Sequence, residues 1–321
     1  MTGTVETIAS PASVKADADA SVPTDASGAE SLAQWREIMA RIGAEEGWFQ
    51  PLGPRHVALF VEDGNTLLVS FETMQSARER TGQMPLAHDI AAARGWSHLC
   101  LMADGPTWFR DPAVYEFFDA KVDDDFFEGY DRVLFYGAGM GGYAACTFSV
   151  ASPGAQVLAL NPRATLDPAE AGWDRRNRAQ RSLDFTSRYG YAPEMLEGAA
   201  HATVIHDPTI PDQAMHAALF RAPYITRLST RHVGERIEWA LQNIGVLPDL
   251  IEAAATQKLT PSVFATRWRK RRDFGPYLRA LLIKAESSGR KGLELMICRS
   301  VTRRLNAPRF AKRLARLTGE K

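Results

Sequence analysis

The stretch that decides the fold is Asp131-Arg-Val-Leu-Phe-Tyr136-Gly-Ala-Gly139-Met-Gly-Gly142-Tyr-Ala-Ala145. From Val133 to Tyr136 it is apolar, β-branched or aromatic, which is typical of a fully buried strand. Glycines follow, and from Tyr143 to Val150 the chain can continue as a helix. The stretch therefore predicts a strand, a sharp turn and a helix in direct succession.

Strands and helices alternate on both sides of this turn. Strands are predicted at His98 to Met102, Val133 to Tyr136, Gln156 to Leu160, Ala202 to His206 and Tyr224 to Leu228. Helices are predicted between them at Pro112 to Ala120, Tyr143 to Val150 and around Met215 to Phe220. Such alternation predicts an α/β fold, with a mostly parallel sheet and helices on both faces.

The sheet is expected to open with an antiparallel pair. His56 to Val61 and Thr66 to Phe71 are short apolar runs joined by Glu62-Asp-Gly64-Asn65, which is a hairpin turn signal. Before them, the apolar spacing that starts after Ser31 predicts a helix capped by that serine. Residues 1–28 contain no aromatic residue and are rich in Ala, Ser, Thr and Asp, which predicts a disordered tail.

The rest of the chain divides into a main domain, an insertion and an extension. The domain is placed at residues 29–245, and its charged segment 161–198 interrupts the alternation as an insertion or cap. Residues 246–321 are helical in pattern, with breaks at prolines and glycines.

Charge is strongly segregated although the chain is neutral overall. Residues 258–321 hold 18 Lys+Arg and 4 Asp+Glu, so a basic tail follows an acidic body. We expect the tail to contact that body or an anionic partner. The partner could be nucleic acid, with Trp268 stacking on a base, or membrane headgroups, and the acidic run Asp123 to Asp125 is a candidate contact within the chain.

Composition excludes several classes of protein. The chain has 321 residues, 45% of them hydrophobic and 24% charged, which is ordinary for a globular protein. Three widely spaced cysteines argue against a disulfide framework or a cysteine metal site. No apolar run is long enough to span a bilayer, and we expect a cytoplasmic protein without a bound metal.

The glycine turn resembles the nucleophile elbow of α/β-hydrolases. In that family the nucleophile occupies the centre of G-x-S-x-G, directly after a central strand, and an acid and a histidine follow in chain order. Here Gly139 occupies the nucleophile position. The resemblance implies that Asp207 matches the acid, with Asp212 as second choice, and that His232 matches the base.

The same resemblance implies where an oxyanion would be held. The donors would be the N–H of Met140 and an amide near Glu72 or Thr73. Glycine has no side chain with which to attack a carbonyl, so we expect no acyl-enzyme at position 139. The domain is then a non-catalytic binding or interaction module, or a hydrolase in which His232 activates water; by residue type Ser70, Cys146 and Ser149 are the other candidate nucleophiles.

A second interpretation uses the same glycines. Gly137, Gly139 and Gly142 spell G-x-G-x-x-G between a strand and a helix, the fingerprint of a dinucleotide-binding loop. Arg163, after the next strand, would favour the 2′-phosphate of NADP. This alternative predicts an oxidoreductase. In the hydrolase-like interpretation no cofactor is expected.

Three segments also resemble bacterial proteins labelled phosphoadenosine phosphosulfate reductase. They are the turn at 137–143, Asn161-Pro-Arg-Ala-Thr-Leu-Asp167-Pro and Ile205-His-Asp-Pro208. True reductases of that name use an S-G-G-x-D-S type loop and a catalytic cysteine near the C-terminus. Neither motif is present, since Cys298 lacks the glutamate-cysteine-glycine setting. The label therefore carries no expectation about the chemistry.

Overall fold

The computed structural model describes residues 25–319. Eight strands form one sheet: β1 Gly47–Leu52, β2 His56–Val61, β3 Thr66–Thr73, β4 Ser97–Ala103, β5 Arg132–Ala138, β6 Gln156–Leu160, β7 His201–His206 and β8 Ile225–Ser229. The α/β fold predicted from the alternating pattern is confirmed.

Fourteen α-helices surround or extend the sheet within residues 25–319. They are α1 Leu32–Glu46, α2 Met74–Arg78, α3 Leu86–Ala92, α4 Pro112–Asp123, α5 Met140–Phe148, α6 Pro168–Ala171, α7 Ala192–Met195, α8 Pro211–Leu219, α9 Ile237–Asn243, α10 Leu247–Ala255, α11 Pro261–Trp268, α12 Gly275–Ser287, α13 Lys291–Thr302 and α14 Pro308–Thr318. The helix predicted at Tyr143 begins three residues earlier, at the turn itself.

The strand order is β1-β2-β4-β3-β5-β6-β7-β8. Strand β2 runs antiparallel to both of its neighbours, and every pair from β4 onward in that order is parallel. This arrangement, with β5 in the middle and a helix directly after it, is that of the α/β-hydrolase fold.

The predicted hairpin at the start of the sheet is wrong. The chain does reverse direction between β2 and β3, but β4 lies between these strands and pairs with both of them. The antiparallel pair that opens the sheet is instead β1 with β2. The sequence pattern missed β1 because it is a mostly exposed edge strand that contains Pro51, a position that only an edge tolerates.

Two layers of helices cover the sheet, and each has its own apolar core. One face packs α4 and α5 against residues such as Phe71 of β3 and Phe135 of β5. The other face packs α9, α10 and α11 against Leu134 and Leu158. Helix α10, placed in the extension by the sequence pattern, lies on β5 and β6, and residues 278–310 form a separate apolar core.

The N-terminal prediction falls largely outside the described residues, which begin at residue 25. Residues 25–28, placed in the disordered tail, pack on the domain, since Ala26 is fully buried and its N–H donates to Gly82 O. Helix α1 follows Ser31 as predicted, and the serine forms a capping box with Gln34. No helix within the described ranges is long and apolar enough to cross a membrane.

Candidate functional site

The turn between β5 and α5 is sharp and strained at its centre, Gly139. Gly139 has φ 57° and ψ −114°, a conformation that residues with a side chain rarely adopt. On either side, a Cβ built at Gly137 would lie 2.2 Å from Gly141 O, and one built at Gly141 would lie 2.1 Å from Phe71 O. These flanking glycines are therefore required by packing.

Position 139 itself is sterically open. A Cβ built on Gly139 meets no heavy atom within 4 Å, and the residue is half-buried at the tip of the turn. A side chain would therefore fit at position 139, and its only cost would be the strained backbone conformation of that residue. The elbow presents room for a nucleophile and carries none.

A buried asparagine connects the elbow to the loop after β8. The Gly139 N–H donates to Leu160 O at 2.8 Å and to Asn161 Oδ1 at 3.2 Å. The Asn161 Nδ2 donates to Glu235 O at 3.2 Å, three residues beyond His232. The sequence pattern indicates no role for Asn161, because its only signal is a position after a strand. It is the residue that brings the elbow and the histidine loop together.

The predicted acid, Asp207, is fully buried and holds backbone rather than a histidine ring. Its Oδ1 accepts from Thr209 N–H at 2.8 Å, and its Oδ2 accepts from Gly234 N–H at 2.8 Å. Burial alone would raise the pKa of Asp207, but the hydrogen bonds from Gly234 and Thr209 outweigh it, and the pKa lies below its ordinary value. Both carboxylate oxygens of Asp207 therefore stabilise the backbone of the loops after β7 and β8.

The predicted base, His232, is turned away from that acid. Its Nδ1 lies 3.2 Å from the Lys284 ammonium, which comes from α12. Within residues 25–319 no ion pair joins His232 to Asp207, whose Oδ2 is occupied by Gly234 N–H. Burial and the Lys284 charge lower the pKa of His232, against the opposing effect of Asp207.

This contact decides the state of the imidazole. A neutral ring that accepts a hydrogen bond from the Lys284 ammonium at Nδ1 carries its own proton on Nε2, so Nε2 has no lone pair with which to act as a base. The structure therefore brings the loops of Gly139, Asp207 and His232 together without the hydrogen bond that would join the last two. Lys284 has no signal in the sequence, because nothing local indicates that α12 reaches this edge.

Of the predicted oxyanion donors, Met140 directly follows the open position. Met140 is the first residue of α5, so its N–H has no acceptor within the helix. Its Sδ accepts from Trp108 N–H at 3.1 Å, which fixes the side chain against the β4–α4 loop. The end of β3 is adjacent, since Phe71 O abuts Gly141, but Thr73 there caps α2 and the Glu72 carboxylate binds Arg80.

The other candidate nucleophiles are enclosed. Ser70 Oγ lies 2.8 Å from His98 Nε2, but the two side chains are 3% and 1% exposed in the sheet interior. Cys146, within α5, and Ser149, directly after it, are fully buried, and the Ser149 hydroxyl donates to Cys146 O. A substrate carbonyl has no route to any of them.

Arg163 is not free to hold a phosphate. It is buried, it donates to Asn161 O at 3.1 Å, and its Nε lies 3.4 Å from the buried carboxylate of Asp174. Asp174 also binds His216 at 2.9 Å and Arg176 at 2.7 Å, so this cluster anchors the 161–198 segment. The geometry does not favour the dinucleotide alternative.

The remaining candidates also have structural partners. Asp212 pairs with Arg176 at 3.0 Å and so is not directed at His232. Arg110 donates to Asp184 O, Arg188 O and Ser187 Oγ, and Trp108 is buried against Tyr143. Within the described part of the chain, no group of three His, Cys, Asp or Glu side chains is arranged to hold a metal ion.

Comparisons with known proteins agree only at the level of architecture. No family model and no curated protein sequence matches this chain. Carboxyl esterase 2 from the fungus Tuber melanosporum is similar in structure at 15% identity and a TM-score of 0.42, over 65% of this chain and 84% of that one. Brefeldin A esterase, a bacterial homologue of human hormone sensitive lipase, is similar at 16% identity and a TM-score of 0.40, over 67% and 73%. The strand order above, not these distant matches, defines the fold.

The structural matches are not restricted to esterases. The capsule O-acetyltransferase of Neisseria meningitidis serogroup A is similar at 12% identity and a TM-score of 0.36, over 60% of this chain and 91% of that one. At such identities nothing about activity follows for the chain described here.

Proposed function

We propose that this chain is an α/β-hydrolase-fold protein that binds a ligand or a partner at the carboxyl edge of its sheet and has no serine-type hydrolase activity. The observation that carries the proposal is Gly139, an elbow residue with the strained conformation of a nucleophile position and no side chain. Acyl transfer through a covalent intermediate has no attacking atom there.

The arrangement of the acid and the base supports the same conclusion. Both carboxylate oxygens of Asp207 accept hydrogen bonds from backbone N–H groups, and the His232 ring is hydrogen-bonded to Lys284. A triad needs the acid to orient the histidine through Nδ1. General-base activation of water by His232 would require the ring to leave Lys284 and exchange its tautomer first.

The elbow still offers a binding surface. The N–H of Met140, the first residue of α5, has no acceptor within the helix, and a Cβ built on the neighbouring Gly139 meets no heavy atom within 4 Å. A ligand that places a carboxylate, carbonyl or phosphate oxygen there gains a hydrogen bond and a favourable dipole. We propose that the former oxyanion site now serves recognition.

An ester hydrolysis assay tests the absence of catalysis. We expect the unaltered protein to release no p-nitrophenol from p-nitrophenyl acetate above the background of the His232→Ala variant. The control is His206→Ala, which removes another half-buried histidine of the same edge. Rapid turnover that His232→Ala abolishes and His206→Ala preserves would replace the binding module with a water-activating hydrolase.

A thermal-shift screen tests the dinucleotide alternative. With Arg163 ion-paired and buried, NADPH, NADH and flavins are expected to leave the melting temperature unchanged at saturating concentration. A reproducible stabilisation by NADPH that Arg163→Lys weakens would contradict this expectation and restore the oxidoreductase hypothesis.

A further inference from the structure

The end of the chain carries an unusual surface. Large hydrophobic side chains are exposed at six positions in residues 25–319, and three of these lie on the helical hairpin of α12 and α13. Ile283 is 51% exposed, Leu293 is 41% exposed and Met296 is 69% exposed. Leu293 and Met296 are three residues apart on α13 and so share one side of that helix.

The same helices are densely cationic. Residues 275–319 hold eleven Lys and Arg and only two Asp and Glu. Within the described part of the chain only Arg304 and Arg313 of these cations pair with a carboxylate. The acidic body does not neutralise the rest, and no ion pair joins this segment to Asp123, Asp124 or Asp125 among residues 25–319. The expected contact between the tail and that acidic run is therefore not found there.

The kind of exposed side chain distinguishes two anionic partners. Single-stranded nucleic acid is held by aromatic stacking together with phosphate contacts. Trp268, the aromatic residue that the sequence offered for stacking, is 5% exposed and packs between Phe264 and Tyr277 under the Arg271 guanidinium. The exposed apolar residues are instead aliphatic, as in helices that lie on a bilayer surface.

Basic side chains flank the aliphatic ones. Lys291 lies two residues before Leu293, and Arg299 is one turn after Met296. Such side chains can place their charges at phosphate groups while neighbouring methyl and thioether groups enter the acyl boundary. We infer that the α12–α13 hairpin is a docking surface for an anionic lipid bilayer.

Vesicle co-sedimentation of the full chain tests this inference. We expect binding to phosphatidylcholine vesicles that contain phosphatidylglycerol, little binding to phosphatidylcholine alone, and release at high salt. Because each cation near such a surface contributes about 1 kcal/mol, the double variant Lys291→Gln, Arg299→Gln should bind at least about tenfold more weakly. Met296→Glu should also weaken binding several-fold.

Matched controls distinguish binding through this surface from effects of net charge and from non-specific hydrophobic adsorption. Arg41→Gln with Arg221→Gln removes the same charge from the body, and Val122→Glu alters an exposed apolar residue of α4 that is 45% exposed. Both should bind vesicles like the unaltered protein, and circular dichroism checks that every variant is folded. Equal binding to neutral vesicles, equal loss in the controls, or binding to single-stranded RNA with none to anionic vesicles would overturn the inference.

Discussion

Replacing the three elbow glycines one at a time by alanine separates the two reasons for their presence. At Gly139 the new methyl group meets nothing, so the cost is the strained backbone alone, about 1–3 kcal/mol, reduced by roughly 0.4–1 kcal/mol because alanine restricts the unfolded chain. We therefore expect Gly139→Ala to lower the free energy of unfolding by about 1–2 kcal/mol.

The flanking variants should cost far more. The new Cβ would overlap a backbone oxygen at 2.2 Å in Gly137→Ala and at 2.1 Å in Gly141→Ala, and a backbone atom cannot rotate away as a side chain can. Each should lose about 3 kcal/mol or more, or fail to fold. Urea unfolding of the three variants measures the difference. A Gly139→Ala protein as unstable as Gly137→Ala would refute the elbow geometry.

Two further predictions concern stability. Burial lowers the pKa of His98 to about 3 from an ordinary 6.5, so the unfolded state binds the proton first. The free energy of unfolding should therefore fall as pH drops below about 6.5, by up to about 1.4 kcal/mol per pH unit. His98→Asn should flatten this slope in unfolding curves between about pH 6.5 and pH 5. The fragment 1–274 should unfold cooperatively in a thermal melt, whereas the fragment 1–245 should not, because it lacks α10. Burial of Leu247, Leu250 and Ile251 of that helix stabilises the fold by about 1.5–3 kcal/mol each. A folded 1–245 fragment would show that the domain ends where the sequence pattern places its boundary.

The parallel half of the fold could be predicted from the sequence, because each buried strand is a short apolar run between turn signals. Strands β4 to β8 were located within two residues at either end. Partner choice was not predictable in the antiparallel half. The turn at Glu62 to Asn65 does reverse the chain, but only long-range pairing places β4 between β2 and β3.

The candidate site was likewise predictable only in part: the positions of its residues were, and their hydrogen-bond partners were not. The positions of Gly139, Asp207 and His232 follow from their places after β5, β7 and β8, since the carboxyl ends of parallel strands meet at one edge. Their actual partners depend on contacts distant in sequence. Asn161 reaches both the elbow and Glu235, and Lys284 reaches His232 from a helix that local patterns place in a separate extension.

The central claim is an elbow that is intact apart from its nucleophile, and covalent labelling tests it most directly. A serine-directed fluorophosphonate probe should leave the unaltered protein and Gly139→Ala unlabelled and should label Gly139→Ser slowly, because the substituted position is open while His232 remains bound to Lys284. Mass spectrometry locates the adduct. Labelling of the unaltered chain, or a folded Gly139→Ser protein that is never labelled, would contradict the account.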